Sequence, residues 1–339
     1  PAPFGFRTPD EVVHDMRQQL PDCEGYSDSR GLFSARKAIM QYAQLKHLPN
    51  VSMDGIYTGN GVSELIQLCM NALLDTGDEI LIPSPDYPLW TACATLAGGT
   101  PVHYLCDEQA EWNPDLQDIE SKVTSNTKAI VIINPNNPTG LAVKKEVLEE
   151  MAAFCLEQGI FLAVDECFCE FLDDPEGHSI LGELGRFPNV FVLKAFTKIY
   201  AMAGLRLGYG ICGDPGLVDR LESVRQPWTV SALAQEAGLA ALKETDYVER
   251  TRELVRIQRE VLKEGLARLG LAVWDSQANY LFFQGSEGLK ERLAARKVLI
   301  RSCANYPGLD GRYYRICVGT EENNRRFLRE LEAALEGKG

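Results

Sequence analysis

Lys198 and Arg206 carry the first chemical signal in the chain. They stand eight residues apart in the run Lys194-Ala-Phe-Thr-Lys-Ile-Tyr-Ala-Met-Ala-Gly-Leu-Arg206. Phe196, Thr197, Ile199 and Tyr200 flank Lys198 and withdraw water from its amine. Desolvation lowers a lysine pKa and leaves the amine nucleophilic. Taken alone, the same lysine also fits a solvated loop tip. Arg206 offers a planar fork suited to a phosphate. Gly59-Asn-Gly-Val-Ser63 precedes a helix, so the backbone N–H groups of Val62 and Ser63 would lie at a helix N-terminus, which favours phosphate. The simpler alternative makes Ser63 a plain cap. Asp165, in Val164-Asp-Glu-Cys-Phe168, ends an apolar run. A carboxylate at the C-terminal end of such a strand faces the ligand crevice of an α/β sheet, although a turn cap has the same signature.

Further segments have two readings each. Ser84-Pro-Asp-Tyr-Pro-Leu-Trp90 sets Tyr87 in a rigid turn, where it serves either a ligand or the core. Asn134-Pro-Asn-Asn-Pro-Thr-Gly140 follows the most apolar strand and could be purely structural. Gly208-Tyr-Gly-Ile-Cys-Gly213 matches G-x-G-x-x-G. Its glycines fall within a strand rather than between strand and helix, which argues against a dinucleotide site.

The elements that would position these residues follow a strand–loop–helix rhythm from residue 55. Apolar runs at 56–58, 79–83, 102–105, 129–133, 160–164 and 190–193 read as strands, and 206–212 as another. The run 129–133 has no polar alternation, so both of its faces are covered. Helices are expected from Asp10, as a cap, to Leu20, over 31–45, to Leu74, from Leu89 and over 144–158. This alternation predicts an α/β fold, a mostly parallel sheet with helices on both faces. After residue 230 come a helix over 232–242, a long charged helix over 247–269, short strands at 280–283, 298–300 and 313–318, and a last helix from Glu321. That change reads as a smaller α+β domain. We divide the chain into a large domain, 21–245, and a small one made of 1–20 and 246–339 with the long helix as connector.

Composition narrows the function. The 339 residues suit one large domain and a smaller one. A net charge of -14 argues against nucleic acid or an anionic membrane as partner. No run of about 18 apolar residues suggests a membrane span, and the opening residues show no signal-peptide pattern. The ten cysteines are scattered without C-x-x-C. Cys167 and Cys169, if in a strand, share a face. Free thiols in a reducing cytoplasm are expected. The four histidines lie far apart, so no metal is expected.

In this order the motifs resemble those of fold-type I pyridoxal 5'-phosphate (PLP) enzymes, the aspartate-aminotransferase superfamily. The resemblance implies a seven-stranded PLP-transferase sheet and assigns roles. Lys198 would hold the cofactor, and Arg206 with Val62 and Ser63 its phosphate. Tyr87 would stack on the ring and Asn137 would donate to its ring oxygen. Asp165 would keep the ring nitrogen protonated, making Lys198 and Asp165 the catalytic pair. Phe168 stands where the family often has a tyrosine, so that residue's hydrogen bond to the cofactor is missing. Arg315 would clamp the substrate α-carboxylate, with Arg301 as a second anion contact. Tyr26 matches the tyrosine that reaches the partner subunit's cofactor, which implies a homodimer.

The two halves resemble different relatives. PAPFGF, GNGVSELI, SPDYPLWTA and INPNNPTG look like the alanine-forming branch. DECF, AFTKIYAMAGLRLGY, RQPW and IRSCANYPGLDGRYYR look like threonine-phosphate decarboxylase and histidinol-phosphate aminotransferase. The expected activity is amino transfer between an amino acid and a 2-keto acid. PLP-dependent decarboxylation of L-threonine O-3-phosphate is the alternative.

Overall fold

A computed structural model describes residues 6–49, 51–106 and 112–337. The first five residues of the PAPFGF motif therefore lie outside the described residues. The chain opens with α1 (Asp10–Gln19) and α2 (Phe33–Leu45). Strand β1 (Ile56–Gly59) leads into α3 (Val62–Leu73), then β2 (Glu79–Ser84), α4 (Leu89–Leu96), β3 (Thr100–Leu105) and α5 (Leu116–Lys122). Next come β4 (Thr127–Ile133), α6 (Lys145–Gln158), β5 (Phe161–Asp165) and β6 (Val190–Ala195). The single turn α7 (Phe196–Ile199) precedes β7 (Gly208–Cys212), α8 (Pro215–Ser223), α9 (Ala232–Ala241) and the 24-residue α10 (Thr245–Arg268). The rest is β8 (Ala272–Val273), β9 (Tyr280–Gln284), α11 (Leu289–Ala295), β10 (Arg301–Ser302), β11 (Tyr313–Cys317) and α12 (Glu321–Leu335).

The large sheet has seven strands in the order β1-β7-β6-β5-β4-β2-β3. It is mostly parallel, as expected; β7 runs antiparallel to both its neighbours. Alternate residues of the central strands serve two cores. Ile130, Ile132, Leu162, Val164, Val190 and Val192 join the core shared with α2, α6 and α9. Ala129, Val131, Ile133, Ala163, Phe191 and Leu193 join the core under α3, α4 and α8. This two-sided burial is why these strands read as unbroken apolar runs. A second, antiparallel sheet has the order β10-β11-β9-β8. Helix α10 packs on α12, and α1 packs on α9.

Three local expectations are corrected. Asp10 is the first residue of α1 and not its cap; Pro9 holds the cap position, without a side-chain hydrogen bond. Residues 298–300 are not a strand, because the chain there is still closing α11. Lys297 adopts φ 60° and the Val298 N–H returns to Leu293 O at 2.9 Å, so pairing begins only at Arg301. Cys167 and Cys169 do not share a strand face, because β5 ends at Asp165 and they occupy the turn beyond it. None of the ten cysteines is joined in a disulfide. Among the described residues, no helix is long and apolar enough to cross a membrane.

Candidate active site

The C-terminal ends of β4, β5 and β6 and the N-terminus of α3 converge on one cavity of about 190 Å³. Its walls include Val62, Ser63, Tyr87, Asn137, Asp165, Phe168, Lys198, Arg206 and Arg315. Residues spread over more than 250 positions are thus gathered into one space. Tyr26 and Arg301 are not among the wall residues. Tyr26 is 85% exposed and packs on Trp228, ring centroids 4.6 Å apart. Arg301 lies directly opposite Arg315 across the β10–β11 pair, with its Nη2 donating to Asn305 Oδ1 at 3.1 Å.

The loop between β1 and α3 builds one end. Gly61 precedes α3 at φ 72°, and a side chain there would collide with the Arg206 guanidinium. The backbone conformation calls for glycine, and its missing side chain leaves room for the guanidinium. Arg206 is held over the loop by donation to Ala203 O at 3.3 Å and Asn60 O at 3.5 Å. The free N–H groups at the start of α3 and this guanidinium make a site for an anion. A Cβ at Gly208 would meet the Val62 nitrogen at 2.7 Å, while one at Gly210 or Gly213 would strike Phe191 or the Leu184 carbonyl. The G-x-G-x-x-G match is therefore explained by close packing of β7 and its exit.

At the other end Asp165 is 6% exposed. Its Oδ1 accepts from the Cys167 N–H at 3.1 Å and its Oδ2 from Trp90 Nε1–H at 3.4 Å. Burial raises its pKa, and the Cys167 and Trp90 donors and the Lys198 charge oppose the rise. Lys198 rises from α7 with Nζ 5.6 Å from the centre of the Phe168 ring. Burial lowers its pKa, the Arg315 and Arg206 charges lower it further, and Cys167 and Asp165 oppose them. Such an amine is partly neutral nearer neutrality than an exposed lysine, and so is a better nucleophile and base. Arg315 lies over Tyr280, 5.1 Å from its ring centre, and its Nη1 donates to Asn137 Oδ1. Tyr280 is anchored in turn to Asn136 O at 2.8 Å. Arg315 thus ties the small sheet to the Asn134–Gly140 turn.

Sequence reasoning missed several wall residues. Ile66 follows Val62 by one helical turn, a spacing visible in the sequence. Thr197 and Cys167 also face the cavity. Trp90 reads from the sequence as the end of a turn and the start of a helix, and nothing local marks it as a partner of Asp165.

The family described as aminotransferase class I and II matches residues 3–331 of the chain. The chain is 49% identical over 215 residues to the glutamate-pyruvate aminotransferase AlaA of Haemophilus influenzae; that match covers 63% of this chain and 53% of the relative. It therefore spans about half the length of that relative. It is 35% identical over 309 residues to the histidinol-phosphate aminotransferase of Symbiobacterium thermophilum, covering 90% of this chain and 82% of that one. Among solved structures, the histidinol-phosphate aminotransferase from Clostridium acetobutylicum superposes with a TM-score of 0.89 at 29% identity, covering 99% of this chain and 97% of that chain. The chain belongs to the class I and II aminotransferase family.

Proposed function

We propose that the chain is a PLP-dependent aminotransferase that moves an amino group between an amino acid and a 2-keto acid. The charge pattern of the cavity carries this reading. Three cations, Lys198, Arg206 and Arg315, face one carboxylate, Asp165, within a chain of net charge -14. That pattern suits an anionic ligand bearing a protonatable ring nitrogen. The residues fit PLP. The glycine-lined α3 N-terminus and Arg206 match a phosphate, buried Asp165 matches a ring nitrogen, and the lowered pKa of Lys198 matches an amine that bonds to an aldehyde. Bound there, PLP would supply an electron sink that weakens bonds at the substrate Cα.

The chain's own residues divide the remaining work. Val62, Ser63 and Arg206 would hold the phosphate and fix the register of the ring. Tyr87 would cover the ring, Asn137 would donate to its oxygen, and Asp165 would keep its nitrogen charged. Arg315 would grip the substrate α-carboxylate with two parallel hydrogen bonds, leaving the Cα–H bond as the one to break. Lys198 would take that proton and return it on the cofactor side. Arg301, beside Arg315, would add a second anion contact. In a homodimer Tyr26 would reach the partner's cofactor phosphate. The large and small domains would divide at residues 21–245 against 1–20 and 246–339. Free cysteines favour a cytoplasmic setting. The relatives named above are aminotransferases and lend no support to the threonine-phosphate decarboxylase alternative.

The test is a half-reaction. PLP-loaded protein mixed with an amino acid alone should convert its absorbance to that of the pyridoxamine form, and a keto acid should reverse the change. Carbon dioxide released from threonine phosphate, with no pyridoxamine form, would contradict the assignment.

A further inference from the structure

Two aromatic residues flank the start of helix α4: Tyr87 lies just before it and Trp90 is its second residue. The Trp90 N–H returns to Tyr87 O at 3.1 Å, so one turn delivers Tyr87 to the cavity wall and Trp90 to Asp165. Trp90 is 0% exposed, and the rest of its ring belongs to the core under α3 and α4. A buried indole N–H needs an acceptor, and this one has the Asp165 Oδ2. The Cys167 N–H holds the other oxygen. A carboxylate with one donor on each oxygen cannot turn freely about its Cβ–Cγ bond, yet it keeps lone pairs for a third donor.

We propose that Trp90 is a positioning residue, whose indole N–H orients the Asp165 carboxylate and keeps it ionised, so that a ring nitrogen bound against it stays protonated. The inference rests on the PLP reading above. A hydrogen bond to a carboxylate stabilises its charged form. Without the indole N–H, a carboxylate this buried becomes more basic and draws the shared proton from the ring nitrogen to itself. A neutral ring is a weaker electron sink, so turnover falls, whereas Arg315 and the substrate contacts are untouched.

The experiment compares wild type with Trp90→Phe and Trp90→His, each loaded with PLP labelled with nitrogen-15 in the ring. In Trp90→Phe the ring-nitrogen resonance should move toward that of an unprotonated pyridine. Turnover should fall about tenfold with KM for the amino acid unchanged. Trp90→His keeps a ring N–H and should return the resonance toward wild type. Should Trp90→Phe fail to fold, the four indole N–H resonances of the tryptophans remain available. Asp165→Asn should displace the Trp90 indole signal more than the other three. An unmoved ring-nitrogen resonance in folded Trp90→Phe, or an unmoved Trp90 signal in Asp165→Asn, would overturn the proposal and leave the PLP reading intact. Wild-type protein that takes up no PLP would overturn both.

Discussion

Lys194 in β6 and Lys198 in the turn α7 that follows it stand four residues apart, and their surroundings are opposite. Lys194 is 6% exposed, with Nζ 2.9 Å from Glu166 and 3.3 Å from Glu170. Glu170 also takes Lys46 at 2.7 Å, while Glu166 accepts from the Ser179 hydroxyl and the Ile180 N–H. Burial works against the Lys194 charge, but Glu166 and Glu170 outweigh it and hold its pKa well above the ordinary lysine range. Burial would likewise raise Glu170, yet Lys194 and Lys46 bring it to about 2. At Lys198 burial lowers the pKa, and two of the charges facing the amine, those of Arg315 and Arg206, share its sign and lower it further. The cavity beside Lys194 is even the larger, about 230 Å³ against 190 Å³. Both lysines therefore lie beside a cavity and are withdrawn from water, Lys194 more fully than Lys198. What separates a reactive lysine from a structural one here is whether its charge is answered.

This contrast can be broken or sharpened by substitution. Lys198→Ala should lower turnover on the order of a thousandfold or more while the fold survives, because it removes the attachment point and the proton carrier. Steady-state kinetics beside circular dichroism would check this. Lys194→Met should do the reverse. It strands the fully buried Glu166 without its counter-ion, which costs about 3–5 kcal/mol in denaturant unfolding, while turnover per folded molecule is kept. Arg206→Ala should weaken PLP binding roughly tenfold to a hundredfold, read by fluorescence titration, through lost charged hydrogen bonds. A pH-dependent effect belongs to Asp86, a fully buried carboxyl whose Oδ1 has no partner and whose Oδ2 accepts from Thr91. Burial raises its pKa from 3.8 to about 6, against the Thr91 bonds. The folded state therefore resists its ionisation, and stability is lost as the pH rises between those two values. Asp86→Asn removes that loss. Its stability relative to wild type should improve by about 3 kcal/mol in all, roughly half of it between pH 5 and pH 8. A difference that does not change with pH would contradict this reading of Asp86.

The sequence was most legible where chemistry sits at the end of an apolar run. Asp165 ends β5, Asn137 follows β4, and Lys198 follows β6, so the apolar runs set each of them at or just beyond the end of a strand, and the family resemblance supplied their roles. It was less legible where pairing is distant or where a turn resets the backbone. Trp90 meets Asp165 across 75 residues, and a tryptophan in a helix reads as core, which it also is. The apolar run 190–193 stops short of Lys194, and only the fold extends β6 to Ala195 and shows that Glu166, next to Asp165, answers the buried Lys194 charge. The run 298–300 looked like a strand because Val298, Leu299 and Ile300 are apolar, yet Leu299 is 84% exposed beyond the left-handed turn at Lys297.

The most direct measurement is chemical mapping of the two lysines in one experiment. PLP-loaded protein is reduced with borohydride, digested, and its labelled peptide sequenced. The label should sit on Lys198 alone, with Lys194, tied to Glu166 and Glu170, unmodified. A label on Lys194 or elsewhere, or none on protein that holds the cofactor, would contradict the central claim.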